Sequence, residues 1–311
     1  MRICNNHRGF VGLSVKRPLK SLLIGVLVAL CFLACKKNMP LDDQSLAGQQ
    51  MPDSIGQALQ EVRSITFPAG QVDLIIDKPE NNFVDVLLVY HGTVWYDSLI
   101  LNAAYNTLEG YRRLLTSNDM MLVSVAYPEE NLLFGDNIAH SEAALKWVKD
   151  EADTALGIKV GKIFLSGHSQ GGYLVTRLNT MHQTAGVVAN GPGPLNLVFR
   201  CQLEENGTIP SGYVCTQLNN TYGPTSQNPD AYMARSLLEF TDGHLSDILF
   251  VQGMNDSPIQ MHSWPIFKTR LESCSDCAAI DFLEIPNAGH SALYQTQIGK
   301  QAFNTFIQAR R

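Results

Sequence analysis

The run Lys162–Gly172 reads KIFLSGHSQGG, an apolar stretch ending in Gly167-His168-Ser169-Gln170-Gly171 with Gly172 directly behind it. Apolar Ile163-Phe164-Leu165 before the pattern predict a buried strand. Tyr173-Leu174-Val175-Thr176-Arg177-Leu178 after it suit a helix. A G-x-S-x-G between strand and helix demands a tight, strained turn in which glycines two before and two after the serine remove colliding side chains. Such a turn lifts the serine Oγ over the edge of a sheet. The alternative reading, a plain glycine-rich turn, leaves the flanking pattern unexplained.

A serine hydroxyl is a poor nucleophile at neutral pH, so Ser169 needs a base and a group that orients the base. On elbows of this kind the partners follow downstream in the order acid, then histidine. Asp247–Gly253 (DILFVQG) reads as a strand and leads into Met254-Asn255-Asp256-Ser257-Pro258. Ala279–Ile285 (AIDFLEI) reads as another and leads into Pro286-Asn287-Ala288-Gly289-His290. Asp256 and His290 thus fall just past strand carboxyl ends, where open α/β sheets build their sites. Asp242 and Asp247 precede their strand, Asp276 sits between two cysteines, and Glu284 lies within a strand. His7 falls in a leader, and His91 and His168 flank other site elements. His140, His182, His244 and His262 lack a strand-end context.

Phe83–Tyr90 (FVDVLLVY) predicts a further buried strand, ending in His91-Gly92-Thr93-Val94-Trp95. The backbone N–H of Gln170, the residue after the serine, is one expected oxyanion donor. Thr93, with Val94 as alternative, is the expected second.

The rest of the chain alternates in the same way. Gln71–Asp77 and Phe83–Tyr90 flank the turn-rich Lys78-Pro-Glu-Asn-Asn, which suggests an opening antiparallel hairpin. Helical spacing marks Asn106–Thr116 and Asn137–Leu156, and Met120–Tyr127 and Ala185–Ala189 read as strands. The expected fold is α/β, a mostly parallel central sheet flanked by helices. A stretch of about residues 191–245 interrupts the alternation and is expected to form a cap-like insertion over the site, with a surface decoration as the alternative.

With His91-Gly92, the Ser169 elbow, Asp256 and His290, the chain resembles the α/β-hydrolase family from about Ile65 to its C-terminus. The stretch Asn228–Ser236 (NPDAYMARS) and the Gly253-x-x-Asp256 turn look more like the prolyl-oligopeptidase and dienelactone-hydrolase branches than lipases. There is no room for the N-terminal β-propeller of prolyl oligopeptidases, so their peptide-size filter is not inferred. The resemblance implies a Ser-His-Asp serine hydrolase acting through an acyl-enzyme, without metal or organic cofactor.

The N-terminus reads as an export signal. Arg2, Arg8, Lys16, Arg17 and Lys20 precede an apolar run, Ser21–Ala34, too short for a comfortable membrane span. Ala34-Cys35-Lys36-Lys37 resembles a bacterial lipoprotein site, although Phe32 and Leu33 are looser than the usual pattern. The expected organisation is a signal peptide over 1–34, a lipidated tether over 35–62 starting at Cys35, and an α/β-hydrolase domain over 63–311. Ordinary secretion and an uncleaved anchor are the alternatives. Localisation would then be a membrane-anchored lipoprotein facing periplasm or cell surface.

Without the leader the chain carries 18 basic and 29 acidic residues. That balance, with no basic run or phosphate loop, argues against nucleic acid as a partner. Beyond the leader and Cys35, four cysteines remain. An even set in an exported chain favours disulfides 201–215 and 274–277. Zinc or a redox role for Cys274-Ser-Asp-Cys277 is the alternative, but the motif precedes a strand rather than following one. The leading functional expectation is a carboxylic-ester hydrolase. The others are a prolyl-oligopeptidase-like peptidase or amidase, and a non-catalytic binding lipoprotein.

Overall fold

A computed structural model of the chain describes residues 59–128 and 136–311. The expected signal peptide, most of the expected tether and Cys35 lie outside the described residues.

Eight strands form one sheet: β1 (Leu59–Phe67), β2 (Gly70–Lys78), β3 (Phe83–Tyr90), β4 (Met121–Ala126), β5 (Lys159–His168), β6 (Gly186–Asn190), β7 (Ile248–Gly253) and β8 (Ile280–Ile285). Their spatial order is β1-β2-β4-β3-β5-β6-β7-β8. Only β2 runs against the others, pairing antiparallel with β1 and β4. Every pair from β4 onward is parallel.

Two sequence expectations are corrected here. The opening hairpin is β1–β2, turning at Pro68-Ala69. β2 and β3 are not neighbours, because β4 inserts between them. Turn residues after β2 signalled a chain reversal but not which strand would fill the adjoining slot. Residues 59–62, read as tether, belong to β1.

Period-two alternation divides the strands between two cores. In β3, Val84, Val86, Leu88 and Tyr90 face one side, whereas Leu87 and Val89 face the other. β7 does the same, with Ile248 and Phe250 opposite Leu249 and Val251. Helix α1 (Ile100–Leu114) covers the second face through Ala104, Leu108, Tyr111 and Leu114. On the first face lie α2 (Asp136–Asp150), α3 (Ala152–Leu156) and α4 (Gln170–Asn179). The single long helix expected over 137–156 is broken at Glu151, so α2 and α3 are separate.

The insertion after β6 folds into α5 (Leu197–Glu205), α6 (Tyr213–Tyr222) and α7 (Pro229–Met233). Leu195, Leu197, Cys201, Val214, Cys215, Leu218 and Tyr232 belong to the main core on the first face. The segment is therefore a packed part of the domain and not loose decoration. Backbone bonds from Leu237 to Pro194 O (3.0 Å) and from Leu238 to Leu195 O (3.1 Å) close its base. After β7, α8 (Pro258–Glu272) returns to the first face through Trp264, Phe267 and Leu271. Finally α9 (Ala292–Gln295) and α10 (Gln297–Gln308) pack beside α1, with Phe303, Phe306 and Ile307 buried.

Candidate active site

Ser169 stands between the last residue of β5 and the first of α4 with φ 57° and ψ −115°, a conformation that L-residues adopt only under constraint. The constraint is visible. Its N–H donates to Asn190 O at 2.9 Å, and its carbonyl accepts from Tyr173 N at 3.0 Å and Gly193 N at 3.1 Å. The elbow glycines permit the crossing. A Cβ on Gly167 would overlap the Gly171 carbonyl, and one on Gly171 would overlap the carbonyl of Tyr90 at the end of β3. Ser166, three residues earlier in β5, is a buried strand residue bonded to Tyr111 Oη (2.7 Å) and Val188 O (2.9 Å), and it takes no part in the site.

Asp256 and His290 sit on the loops that leave β7 and β8. These loops are joined by Met254 N to Ile285 O (3.0 Å) and Asn255 N to Ala288 O (2.8 Å). The result is a 2.8 Å contact between His290 Nδ1 and Asp256 Oδ2. An ionised carboxylate only accepts, so the imidazole carries its proton on Nδ1 and leaves Nε2 as a base. Burial works against ionisation of Asp256. Hydrogen bonds from His290, from Gln252 Nε2 (3.0 Å) and from Ser257 N (2.6 Å) outweigh it and hold the carboxyl below its ordinary range.

Ser169, Gln170, Thr93, Asp256 and His290 all line one cavity of about 460 Å³. Val94, the alternative to Thr93, does not line it. Gln170 is the first residue of α4, in the turn whose N–H groups lie outside the helical ladder. Gly92 brings the β3 loop against the elbow, so that a Cβ there would lie 3.6 Å from Ser169 Cβ. His91 stays out of the cavity, stacked on Tyr127 with ring centroids 3.9 Å apart and held to about 4 by burial. Among the described residues Ser169 and His290 share the cavity without a direct hydrogen bond. Catalytic contacts of this kind commonly tighten only once substrate is bound.

The supporting roles of Gln252, Gln260, His168 and Asn190 are not legible in the sequence as local patterns. Gln252 is a fully buried amide in the otherwise apolar β7. Its Nε2 donates to Asp256, and its Oε1 accepts from Gln260 Nε2 at 3.1 Å. A lone glutamine in ILFVQG was the available signal. His168 lies with its ring centroid 4.8 Å from that of His290. Burial, reinforced by repulsion from His290, lowers its pKa to about 4 and keeps it neutral. Asn190 Nδ2, 2.9 Å away, meets His168 Nδ1, which puts the His168 proton on Nε2, 3.4 Å from Ser291 Oγ. A neutral His168 places no second positive charge beside His290.

The four remaining cysteines form Cys201–Cys215, joining α5 to α6, and Cys274–Cys277. Asp276 lies close to the second pair, but sulfurs bonded to each other are not thiolate ligands for a metal.

No protein-family model and no curated protein matches the chain. Solved structures do match. A truncated form of a carbohydrate esterase from gut microbiota superposes with a TM-score of 0.59 at 14% identity, covering 84% of this chain and 99% of that one. A hyperthermophilic esterase from the archaeon Pyrobaculum calidifontis gives 0.58 at 18% identity, covering 82% and 85%. The acylaminoacyl peptidase of Pyrococcus horikoshii gives 0.56 at 11% identity, covering 82% of this chain and 42% of that one. At these identities the likeness is one of fold, and the fold is that of the α/β-hydrolases.

Proposed function

We propose that this protein is a serine hydrolase that cleaves carboxylic esters through Ser169, His290 and Asp256. The observation that carries this reading is the 2.8 Å Asp256–His290 contact at a cavity that also holds a strained, elbow-borne Ser169. His290 Nε2 takes the Ser169 proton as Oγ attacks the acyl carbonyl, then passes it to the departing alkoxide. Asp256 holds the imidazole tautomer and stabilises the imidazolium. The Gln170 and Thr93 backbone N–H groups receive the oxyanion, a contribution worth a few kcal/mol in the transition state. Water, deprotonated by the same His290, releases the acid. Ester cleavage is favoured over amide cleavage because two of the similar folds above bear esterase names, although a peptidase shares the architecture. The test is hydrolysis of para-nitrophenyl esters beside aminoacyl-nitroanilides, with fluorophosphonate labelling. Wild type should be labelled and should cleave esters, and S169A should do neither. Labelling that persists in S169A would place the nucleophile elsewhere.

The dienelactone-hydrolase and prolyl-oligopeptidase-like character of Asn228–Ser236, and lipidation at Cys35 with anchoring of the enzyme to an exported membrane face, belong to the same proposal and rest on sequence alone. Cys35→Ala should move the protein from the membrane fraction to the soluble one. An unchanged partition would replace anchoring by plain secretion.

A further inference from the structure

The surface of the cavity around Ser169 is mostly apolar, with Leu195, Leu197, Val214 and Ile259 in its wall, while polar side chains such as Asn196, Gln260 and Ser263 line it as well. Into this lining the cap contributes one cationic group, Arg200, the only Lys or Arg among the described residues that line the cavity. Its position follows from helical spacing, since Asn196, Leu197 and Arg200 fall three and four residues apart on the face of α5 toward the cavity. The next residue, Cys201, is bonded to Cys215 of α6, and Val214 beside that cysteine lines the cavity too. The arginine is thus carried on a covalently clipped helix pair rather than on a loop.

Its partner fixes its head group without consuming it. Arg200 Nε donates to Glu204 Oε1 at 3.1 Å, one helical turn away, and Glu204 Oε2 accepts from Gly212 N at 2.6 Å. The Glu204 side chain is 4% exposed, whereas that of Arg200 is 35% exposed. Both carboxylate oxygens are therefore occupied inside the cap, and only one of the five guanidinium N–H donors is used in that pair. A planar, pre-oriented guanidinium at the wall of an apolar cavity is suited to bidentate recognition of a carboxylate. Because Glu204 offsets the net charge, discrimination comes from directed hydrogen bonds more than from long-range attraction.

We propose that Arg200 is a specificity-determining substrate contact and that the preferred esters carry a carboxylate a few atoms from the scissile carbonyl. This inference rests on the ester-hydrolase reading above. It is tested with matched esters that differ in that charge: para-nitrophenyl hydrogen adipate against para-nitrophenyl hexanoate on the acyl side, and para-acetoxybenzoate against its methyl ester on the leaving-group side. Wild type should favour the charged member of at least one pair by about tenfold in kcat/KM, the size of one charge-assisted contact. Added sodium chloride should lower that ratio in the wild type, a measurement that needs no variant. Arg200→Gln should bring the ratio close to one, mainly through KM, and Arg200→Lys should leave it in between. A wild type without charge preference in either pair, or an Arg200→Gln protein with the wild-type ratio, overturns the role of Arg200 while ester hydrolysis stands. Failure to turn over any of the four esters overturns the ester-hydrolase reading itself and this inference with it.

Discussion

Gln252 Nε2 lies 3.0 Å from Asp256 Oδ2, the carboxylate oxygen that also accepts from His290 Nδ1 at 2.8 Å. The two donors meet one oxygen from opposite sources, a strand amide and a loop imidazole. Gln252 is in turn held by Gln260 Nε2, which also bonds Pro192 O at 3.0 Å. The acid of the proposed triad is thus the end of a buried amide chain anchored on α8. Gln252→Leu should lower kcat/KM by roughly tenfold, the scale of a lost hydrogen bond to a charged group. It should also raise the pKa of the Asp256 carboxyl, followed by carboxyl NMR, because one of the bonds holding that group ionised is gone. An unmoved titration would reduce Gln252 to packing.

Asp256→Asn replaces an acceptor-only group by an amide that can no longer fix the same imidazole tautomer. Steady-state kinetics should show kcat falling by about 10⁴-fold, with fluorophosphonate labelling slowed to match. Near-wild-type rates would mean that another group orients His290.

The elbow has a strict steric limit. Gly171→Ala places a methyl group against the Tyr90 carbonyl, which belongs to a central strand and has nowhere to move. The variant should lose several kcal/mol in urea denaturation or accumulate as insoluble protein. A folded, active G171A would show that α4 and β3 separate more readily than their packing implies.

Acid sensitivity should come from buried neutral histidines. His91, His168 and His244 are each lowered to about 4, burial being the largest cause. Unfolded, each titrates at about 6.5. Between these values the unfolded chain binds protons that the folded one does not, so stability falls as pH drops from about 6.5 toward 4. The slope is about 1.4 kcal/mol per pH unit for each fully engaged histidine. Urea titrations from about pH 7 down to about pH 4, across that window, should show the decline, and His244→Asn should flatten it by about one proton. A stability independent of pH in this range would contradict the burial of these rings.

The two disulfides should differ in weight. Cys201 and Cys215 are both buried in the main core and are 14 positions apart, whereas Cys274 and Cys277 are three apart and partly exposed. In the chain-entropy view the longer loop contributes about 3 kcal/mol and the short one less. The C201S/C215S double variant should lower Tm by several degrees more than C274S/C277S, as read by calorimetry. It should also alter ester selectivity, since Val214 and Arg200 adjoin the bridge, while Ser169 still labels. Equal Tm values for both variants would mean that the α5–α6 clip adds nothing to the fold.

Much of this architecture was legible because it is written at short range. Period-two alternation in FVDVLLVY, glycines two either side of Ser169, and loops after apolar runs at Asp256 and His290 report local sterics and burial. Strand β1 was missed because Leu59–Phe67 (LQEVRSITF) mixes Glu61 and Arg63 with its apolar residues, as an edge strand in contact with solvent allows. The expected β2–β3 hairpin failed for a different reason. A turn fixes that the chain reverses, while the strand that fills the adjacent slot is chosen by pairing across tens of residues.

The sequence by itself therefore determined strands β2 to β8 in their chain order, the glycine-limited turn at Ser169, the candidate acid and base, and cysteines spaced for bridging. Each of these depends on neighbours within a few positions. Tertiary structure alone decided that β4 separates β2 from β3, that Gln252 and Gln260 support Asp256, that neutral His168 lies beside His290, and that Arg200 of the cap reaches the Ser169 cavity. These are contacts between elements far apart in the chain. They are set by how the two faces of the sheet are filled, and no local pattern encodes them.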